Sequence, residues 1–548
     1  GSSADRGDVP NALPDAGVGA RAEADVKRLP ALLSPLTLAA YPVLFLFAHN
    51  QGQTYATDVV RPLTVAVLGT AVLLAVATLV YRDAAKAGVL VSAFVVLFFA
   101  YGHIVNLVSK TSVSVAVVTG AIEIAALVAL AIVLFRSRTS PTTPATLISV
   151  VAAVLIVFPL STIAFSLGGR PAASTTASNT ASSAPAAGIA ARRPDIYYII
   201  LDSYPSQRSL EEFYDFDNAP FVDGLKSRGF QVADDSKSNY GATLLSLGSS
   251  LNMTYLDDVT APFRETSDRT VMMDAVRDSA VVRTLREHGY RFVSISSGFS
   301  GTDPMPTADA ELRFPKGSLT EFEVLAISTT PLAELPAFRE TTDPFLLRRF
   351  AVLHGFEALA GQGPSREPTF VLAHILSPHP PFVFDAAGGM RERKGRFNQT
   401  KYSKDEYLDG FRGQVTFVND RLIPAIDAIL GRYESSNRPI IIVQGDHGPR
   451  SLRRRNNTTE AFYRERFSIL NAYHVPKDIP CEIYPTISPV NTFRKLFAAL
   501  FGTPYEMLPD ESYFSTSHKP YAFKPVSALV QSDSPAPGDD EAEDHGDQ

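Results

Sequence analysis

Five apolar runs dominate the front of the chain, at approximately 31–49, 62–81, 87–108, 113–135 and 145–167. Each is near the ~20 residues that an α-helix needs to cross the hydrocarbon core of a bilayer. That length restricts the front to a bundle of membrane helices, because backbone groups in hydrocarbon must be satisfied within each segment. Charge is almost excluded from the runs. Glu123 is the exception, and His103 is the other polar outlier. An ionisable residue at membrane depth is a functional candidate; the plainer alternative is a carboxylate satisfied inside the bundle.

Basic residues set the orientation. Arg21, Lys27 and Arg28 precede the first run, Arg82 and Lys86 follow the second, and Arg136 and Arg138 follow the fourth. The opposite loops carry only Arg61 and Lys110. This asymmetry predicts a cytoplasmic N-terminus. An odd number of spans then places everything after Leu167 on the other side. The first run sits behind a polar tail and reads as an anchor rather than a cleaved signal. The predicted division is a tail at 1–30, a membrane domain at 31–168, a linker at 169–192, an extracytoplasmic domain at 193–530 and an acidic tail at 531–548. The linker is rich in Ala, Ser and Thr, which have little to pack. The far tail is acidic without Lys or Arg, and reads as disordered.

From Arg193 onward, strand-like and helix-like segments alternate. "DIYYIIL" (195–201), "RFVSIS" (291–296), "TFVLAHIL" (369–376), "PIIIV" (439–443) and "FSILNAYHV" (467–475) read as strands. "APFVDGLKSRG", "DAVRDSAVVRTLREHG" and "SPVNTFRKLFAALFG" read as helices. Tyr407, Phe411, Val415, Val418, Leu422, Ile426 and Ile429 recur every three or four residues, which predicts a long helix that kinks or restarts at Pro424. The alternation predicts an α/β domain with a mostly parallel sheet. In such sheets, ligands gather beyond the C-terminal ends of the strands.

Three predicted strands end there in groups that can bind metal. Asp202 follows the first, His374 and His379 lie in "LAHILSPHPPF", and Asp446 and His447 lie in "QGDHGPR". One Asp after a strand can equally be a turn or cap residue. Taken together, the strand ends predict one shared metal site. Cys481 is the only cysteine in the 548 residues, so the ligands must be oxygen and nitrogen, which suits zinc or manganese. In "SKSNYGATLLSLGSSLNM", Thr243 falls near the start of a helix, where exposed N–H groups favour an anion. A metal beside it could activate its hydroxyl for attack on phosphorus. A simple N-cap is the other reading, and Ser246 and Ser249 are weaker nucleophile candidates. The net charge of −7 argues against nucleic acid as a partner.

This order of an Asp after the first strand, a Thr at a helix start, an "HPPF" segment and then "GDHG" resembles the alkaline phosphatase/sulfatase superfamily. With about five preceding spans, the chain resembles the membrane-anchored branch of lipoteichoic acid synthases and lipid A phosphoethanolamine transferases. The resemblance implies an alkaline-phosphatase-like fold. It implies metal ligation by Asp202, Thr243, Asp446 and His447, Thr243 as the nucleophile, and substrate contact by His379. The chain departs from those transferases in having Asp202 where they usually have Glu, and one cysteine where phosphoethanolamine transferases have disulfides. Their second-metal histidine has no clear match here; His474 is a poor candidate, on a buried-looking strand. Arg450, just after "GDHGP", could meet a phosphate, as could Arg453–Arg455, although a solvated basic loop also explains that run. The formylglycine pattern of sulfatases is missing around Thr243 and Cys481.

The expectation is therefore a metal-dependent membrane phosphotransferase. It would move a substituted phosphoryl group, of phosphoglycerol or phosphoethanolamine type, from a phospholipid donor to a glycan or lipid acceptor through a phosphothreonine intermediate. Two alternatives stand beside it: a phosphoester hydrolase of the same fold, and a non-catalytic envelope binding protein.

Overall fold

The computed structural model describes residues 16–108, 113–168, 193–315, 319–393, 397, 401–452 and 459–531. The linker at 169–192, Lys110, Arg453–Arg455 and nearly all of the acidic tail lie outside the described residues, as does the first half of the N-terminal tail. The chain forms two compact units. One holds five long helices together with Ala326–Leu332; the other holds Gln51–Tyr55 and the α/β portion.

The helices of the first unit are α1 (Ala16–His49), α2 (Ala56–Tyr81), α3 (Ala84–Val108), α4 (Val113–Arg136) and α5 (Thr142–Gly168). All five contain a stretch long and apolar enough to cross a membrane. Small residues mark where helices meet: Ala39, Ala87 and Ala152 are almost fully buried in a core with Leu38, Leu74, Val91 and Val95. Small side chains let membrane helices approach closely. Glu123 is buried on α4, and its Oε1 has no hydrogen-bond partner. His103 is exposed.

The second unit is built on seven strands: β1 (Ile196–Leu201), β2 (Phe230–Val232), β3 (Arg291–Ile295), β4 (Ala310–Leu312), β5 (Thr369–Ile375), β6 (Ile440–Gly445) and β7 (Asn471–His474). Their order in the sheet is β2-β7-β6-β1-β5-β3-β4. β7 runs antiparallel to β6 and to β2, while β6, β1, β5, β3 and β4 run parallel. Alternate residues of the central strands enter opposite cores, as the two-residue period of a strand requires. Tyr197, Ile199 and Leu201 pack on one face; Ile196, Tyr198 and Ile200 pack on the other. Helices cover both faces, which explains why these strands read as continuous apolar runs.

Three local expectations are corrected. The segment 274–289 is two helices, Thr270–Arg277 and Ala280–Glu287. Ser279 ends the continuity by capping the second, its side chain accepting from Val282 N. The helix Lys404–Gly431 runs through Pro424 without a break, begun by a capping box between Ser403 and Glu406. Its apolar face, including Phe411, Val415, Val418, Leu422, Ile426 and Ile429, is fully buried. The last strand begins only at Asn471, because residues up to Phe467 belong to the helix Glu460–Phe467.

Candidate metal centre and nucleophile

The register of the central strands builds the site. Leu201 at the end of β1 pairs with Ile375 of β5 and Gly445 of β6. Three parallel strands thus end level, and Asp202 and Asp446 are the first residues beyond two of them. Gly445 is required by close approach, since a Cβ there would run into the carbonyl of Tyr204. One ligand atom each from Asp202, Asp446 and His447 lies within 4.8 Å of the others, and all three residues are buried.

Their hydrogen bonds leave specific atoms facing one another. Asp446 Oδ1 accepts from the backbone N–H groups of Ser203 and His447, both at 2.9 Å. Asp446 Oδ2 is buried without a partner and lies 3.3 Å from His447 Nε2. His447 Nδ1 lies 3.0 Å from Gly448 O. A carbonyl can only accept, so Nδ1 carries the proton and Nε2 presents a lone pair, the tautomer a metal ligand needs. Ser203 Oγ donates to Asp202 Oδ1 at 3.2 Å. Ser203 adopts a left-handed backbone, φ 65°, which costs energy for a non-glycine residue and recurs at functional sites.

The electrostatics fit a cation. Burial pushes the Asp202 carboxyl up, against the pull of Arg348 and Arg466. Burial also pushes Asp446 up, and the neighbouring Asp202 charge pushes it further. Two such carboxylates resist ionising together unless positive charge lies between them. His447 is driven well below its ordinary value by burial and then by Arg466, so it is neutral, as a ligand must be. The orphaned Asp446 Oδ2, the His447 lone pair and the oxygen-nitrogen donor set therefore suit a divalent ion of the zinc or manganese kind.

Thr243 is the first residue of the helix Thr243–Asn252, and the N-cap position belongs to Ala242, which makes no side-chain cap bond. The N-cap reading of Thr243 is thus excluded. Its Oγ1 lies 3.2 Å from His447 Nε2. Ser246 is buried with its hydroxyl donating to Asp446 O at 2.5 Å, and Ser249 donates to Thr254 O at 2.7 Å. Both hydroxyls donate to backbone carbonyls.

His379 follows β5 in the loop 376–384. Its backbone N–H donates to Asp202 O at 3.0 Å, and its ring centroid lies 6.4 Å from that of His447. Its Nδ1 lies against Pro380 O, which leaves Nε2 as the free nitrogen. Burial, and then Arg348, lower its pKa well below the ordinary histidine value. Arg450 is exposed, and its backbone N–H meets Tyr407 Oη at 3.4 Å. His474 is remote, at the opposite end of the sheet, with Nδ1 on Pro439 O at 2.9 Å.

Several residues at the site carry no motif. Arg348, on the helix Pro344–Gly361, donates to Leu376 O at 3.1 Å and lies 5.2 Å from the Phe397 ring centroid. That anchors a guanidinium beside the loop bearing His379, where its charge is felt by Asp202, His374 and His379. His374 Nδ1 bonds Thr302 Oγ1 at 2.9 Å; its Nε2 is buried without a hydrogen bond, 3.9 Å from Asp202 Oδ2. Gln414, on the long helix, accepts from Val383 N at 2.8 Å and Phe384 N at 3.3 Å. It donates to Pro378 O at 2.9 Å and His379 O at 3.4 Å. One buried amide therefore holds both ends of the histidine loop.

No family model and no curated protein matches the chain. Solved structures do resemble it. The C-terminal periplasmic domain of EcEptC from Escherichia coli aligns over 65% of this chain and 96% of its own length, with 12% identity and a TM-score of 0.42. A putative sulfatase from Bacteroides thetaiotaomicron aligns over 60% and 75%, with 12% identity and a TM-score of 0.36. The lipooligosaccharide phosphoethanolamine transferase A (EptA) from Neisseria meningitidis, an integral membrane protein, aligns over 86% of this chain and 95% of its own, with 12% identity and a TM-score of 0.35. The solved structures similar to the chain thus include a phosphoethanolamine transferase and sulfatases.

Proposed function

We propose that the chain is a metal-dependent, membrane-anchored phosphotransferase with Thr243 as its nucleophile. The observation that carries this reading is the hydroxyl of Thr243 at a helix N-terminus, 3.2 Å from the lone-pair nitrogen of His447, beside the Asp202–Asp446–His447 cluster. Asp202, Asp446, His447 and Thr243 would hold the ion. Bound there, a divalent ion lowers the pKa of a hydroxyl and neutralises charge on phosphoryl oxygens.

The residues then divide the work. Thr243 Oγ1 attacks the phosphorus of a phosphodiester, and the P–O bond to the lipid alcohol breaks. The Thr243 hydroxyl proton passes by way of His379 Nε2 to the departing alcohol oxygen, and the substituted phosphoryl group stays on Thr243. An acceptor hydroxyl of a glycan or lipid then attacks, and the bond to Thr243 Oγ1 breaks. His379, neutral and with Nε2 free, takes the acceptor's proton and returns it to Thr243 Oγ1. Arg348 and Arg450 bind phosphoryl oxygens, and the first turn of the helix at Thr243 adds its N–H groups.

The five helices would anchor the chain in the membrane that carries the lipid donor, with the α/β unit on the extracytoplasmic side. Cys481 is buried, so a single cysteine introduced at exposed Glu434 reports sidedness without background. Labelling by an impermeant reagent in intact cells is expected; labelling only after lysis would reverse the topology.

The direct test uses the full chain in detergent, loaded with zinc or manganese and given fluorescent phosphatidylglycerol or phosphatidylethanolamine. Diacylglycerol should be released, and intact-mass analysis should find the phosphoryl adduct on the peptide spanning Asn239 to Met253. Thr243→Ala should abolish both. Its fold should survive, because the residue makes no cap bond. Turnover by Thr243→Ala at the rate of the parent would sink the covalent mechanism. Product analysis with and without added glycan separates transfer from hydrolysis.

A further inference from the structure

We propose that Arg466 is a positioning residue that clamps the turn carrying Thr243 to the turn carrying Asp446 and His447. This rests on the reading of Thr243 as nucleophile. Thr243 and His447 are 204 residues apart in the chain, and neither turn contains Arg466. Nε and Nη2 of Arg466 both donate to Gly241 O, at 2.9 and 2.6 Å. Nη1 donates to Gly448 O at 2.7 Å. Gly241 stands two residues before Thr243. Gly448 O is the same acceptor that fixes the His447 tautomer through Nδ1 at 3.0 Å. Every side-chain nitrogen of Arg466 is thus spent on a backbone carbonyl of one turn or the other.

The backbone is engaged as well. Gly448 N donates to Arg466 O at 2.7 Å. Gly448 is dictated by this contact, and Gly241 packs tightly against it. A Cβ on Gly448 would collide with the Glu465 carbonyl, and one on Gly241 would meet Phe467 Cζ at 3.2 Å and Arg466 Cγ at 3.4 Å. The preceding residue is locked too: buried Glu465 accepts from Tyr214 Oη at 2.6 Å, from Ser451 N at 2.8 Å and from Leu452 N at 3.1 Å. A planar fork of donors can bridge two carbonyls in fixed geometry, which a lysine ammonium on a flexible stem cannot reproduce. Burial lowers the guanidinium to about 10, so it stays cationic at neutral pH and also faces the acidic pair. Arg466 therefore has two separable effects: its charge supports the ligands, and its fork sets the distance from Thr243 Oγ1 to them.

The experiment compares Arg466→Lys and Arg466→Met in the full-length protein. It reads zinc affinity by calorimetry, and kcat and KM for bis(p-nitrophenyl) phosphate. A reacting group misplaced by an ångström costs about 100-fold in rate. Both variants should lose about that much kcat, with KM within about threefold of the parent. Zinc affinity should fall about 10-fold in Arg466→Met and stay near the parent value in Arg466→Lys, which keeps the charge. If Arg466→Met does not fold, Gly241→Ala takes its place, with the same kcat loss expected and zinc binding intact. Full kcat in Arg466→Lys would overturn the clamp. Full activity of Thr243→Ala itself would instead sink the nucleophile assignment.

Discussion

The helical unit and the α/β unit reverse each other's polarity. On the helices, large apolar side chains point outward: Leu79 is 77% exposed and Phe165 81%. In the α/β unit, carboxylates, imidazoles and a guanidinium point inward, with Asp446 only 2% exposed. The first surface is stable against hydrocarbon rather than water. The second interior is stable only if each buried charge meets an opposite charge or a full set of hydrogen bonds. One unit is thus specified by composition along each helix, the other by contacts between residues hundreds of positions apart. Mutations should therefore act very differently in the two.

The largest effect is expected at Asp446, whose Oδ2 is buried without a hydrogen bond among the described residues. Asp446→Asn keeps the shape but removes the negative oxygen that is otherwise orphaned, and metal affinity should fall at least about 100-fold, measured by calorimetry. An unchanged affinity would mean that the buried Asp–Asp–His cluster is structural.

The same charge makes a pH prediction. Burial raises the Asp446 and Asp202 carboxyls above their unfolded values. A raised folded-state pKa contributes stability below the unfolded value, near ~4, and that contribution is lost as pH rises through the folded value. Chelated protein should therefore lose stability from pH 4 toward neutrality in denaturant titrations. Metal-loaded protein should not, and Asp446→Asn should flatten the slope of the chelated form. A flat profile for the chelated parent would show that the pair shares its charge with another group.

Arg348 comes next. Arg348→Met removes the cation beside His379 and should lower kcat/KM about 10- to 100-fold through KM, leaving metal affinity near the parent value. A fall in metal affinity instead would place its role with Asp202 rather than with substrate.

These residues also show what could be read in the sequence. "GDHG" is legible because two ligands and their permissive glycines are contiguous and follow a buried strand. Asp202 is legible by the same pattern, and Thr243 through a helix start and a resemblance. Arg348, Gln414 and Arg466 are silent, since an arginine or glutamine on a helix looks the same whether it faces solvent or a carbonyl from a distant loop. His374 lies in "LAHILSPHPPF", but only its partnerless Nε2 separates it from a core histidine. Helix boundaries failed where one hydroxyl decided them: Ser279 caps a helix inside what reads as a single run. The membrane helices needed only length and hydropathy, because there the solvent imposes the structure.

A smaller effect is expected at Gln414. Replacing it by Leu leaves an apolar side chain of similar size, but the carbonyls and N–H groups at both ends of the 378–384 loop lose their partner. Unsatisfied buried groups cost about 1–3 kcal/mol each, less any water that enters. Thermal stability should drop by that order, and kcat should fall with it because His379 is released. A loss of stability with kcat intact would separate the loop's packing from its chemistry.

The smallest effect is expected on the outer faces of the helices. Val72 on α2 is 63% exposed, whereas Ala39 on α1 is completely buried. Val72→Leu adds apolar surface to a face that is already apolar and should change stability in detergent by less than about 0.5 kcal/mol. Ala39→Leu forces extra methyl groups into the point where helices touch, and should cost about 1–3 kcal/mol. The pair sharpens the contrast between the units, because in the α/β unit no exposed apolar stripe of this length exists among the described residues. If Val72→Leu proves as damaging as Ala39→Leu, the outer face of α2 is not a lipid surface. It is then packed against protein, and a second copy of the chain, detectable by cross-linking through a cysteine at Val72, becomes the occupant to test.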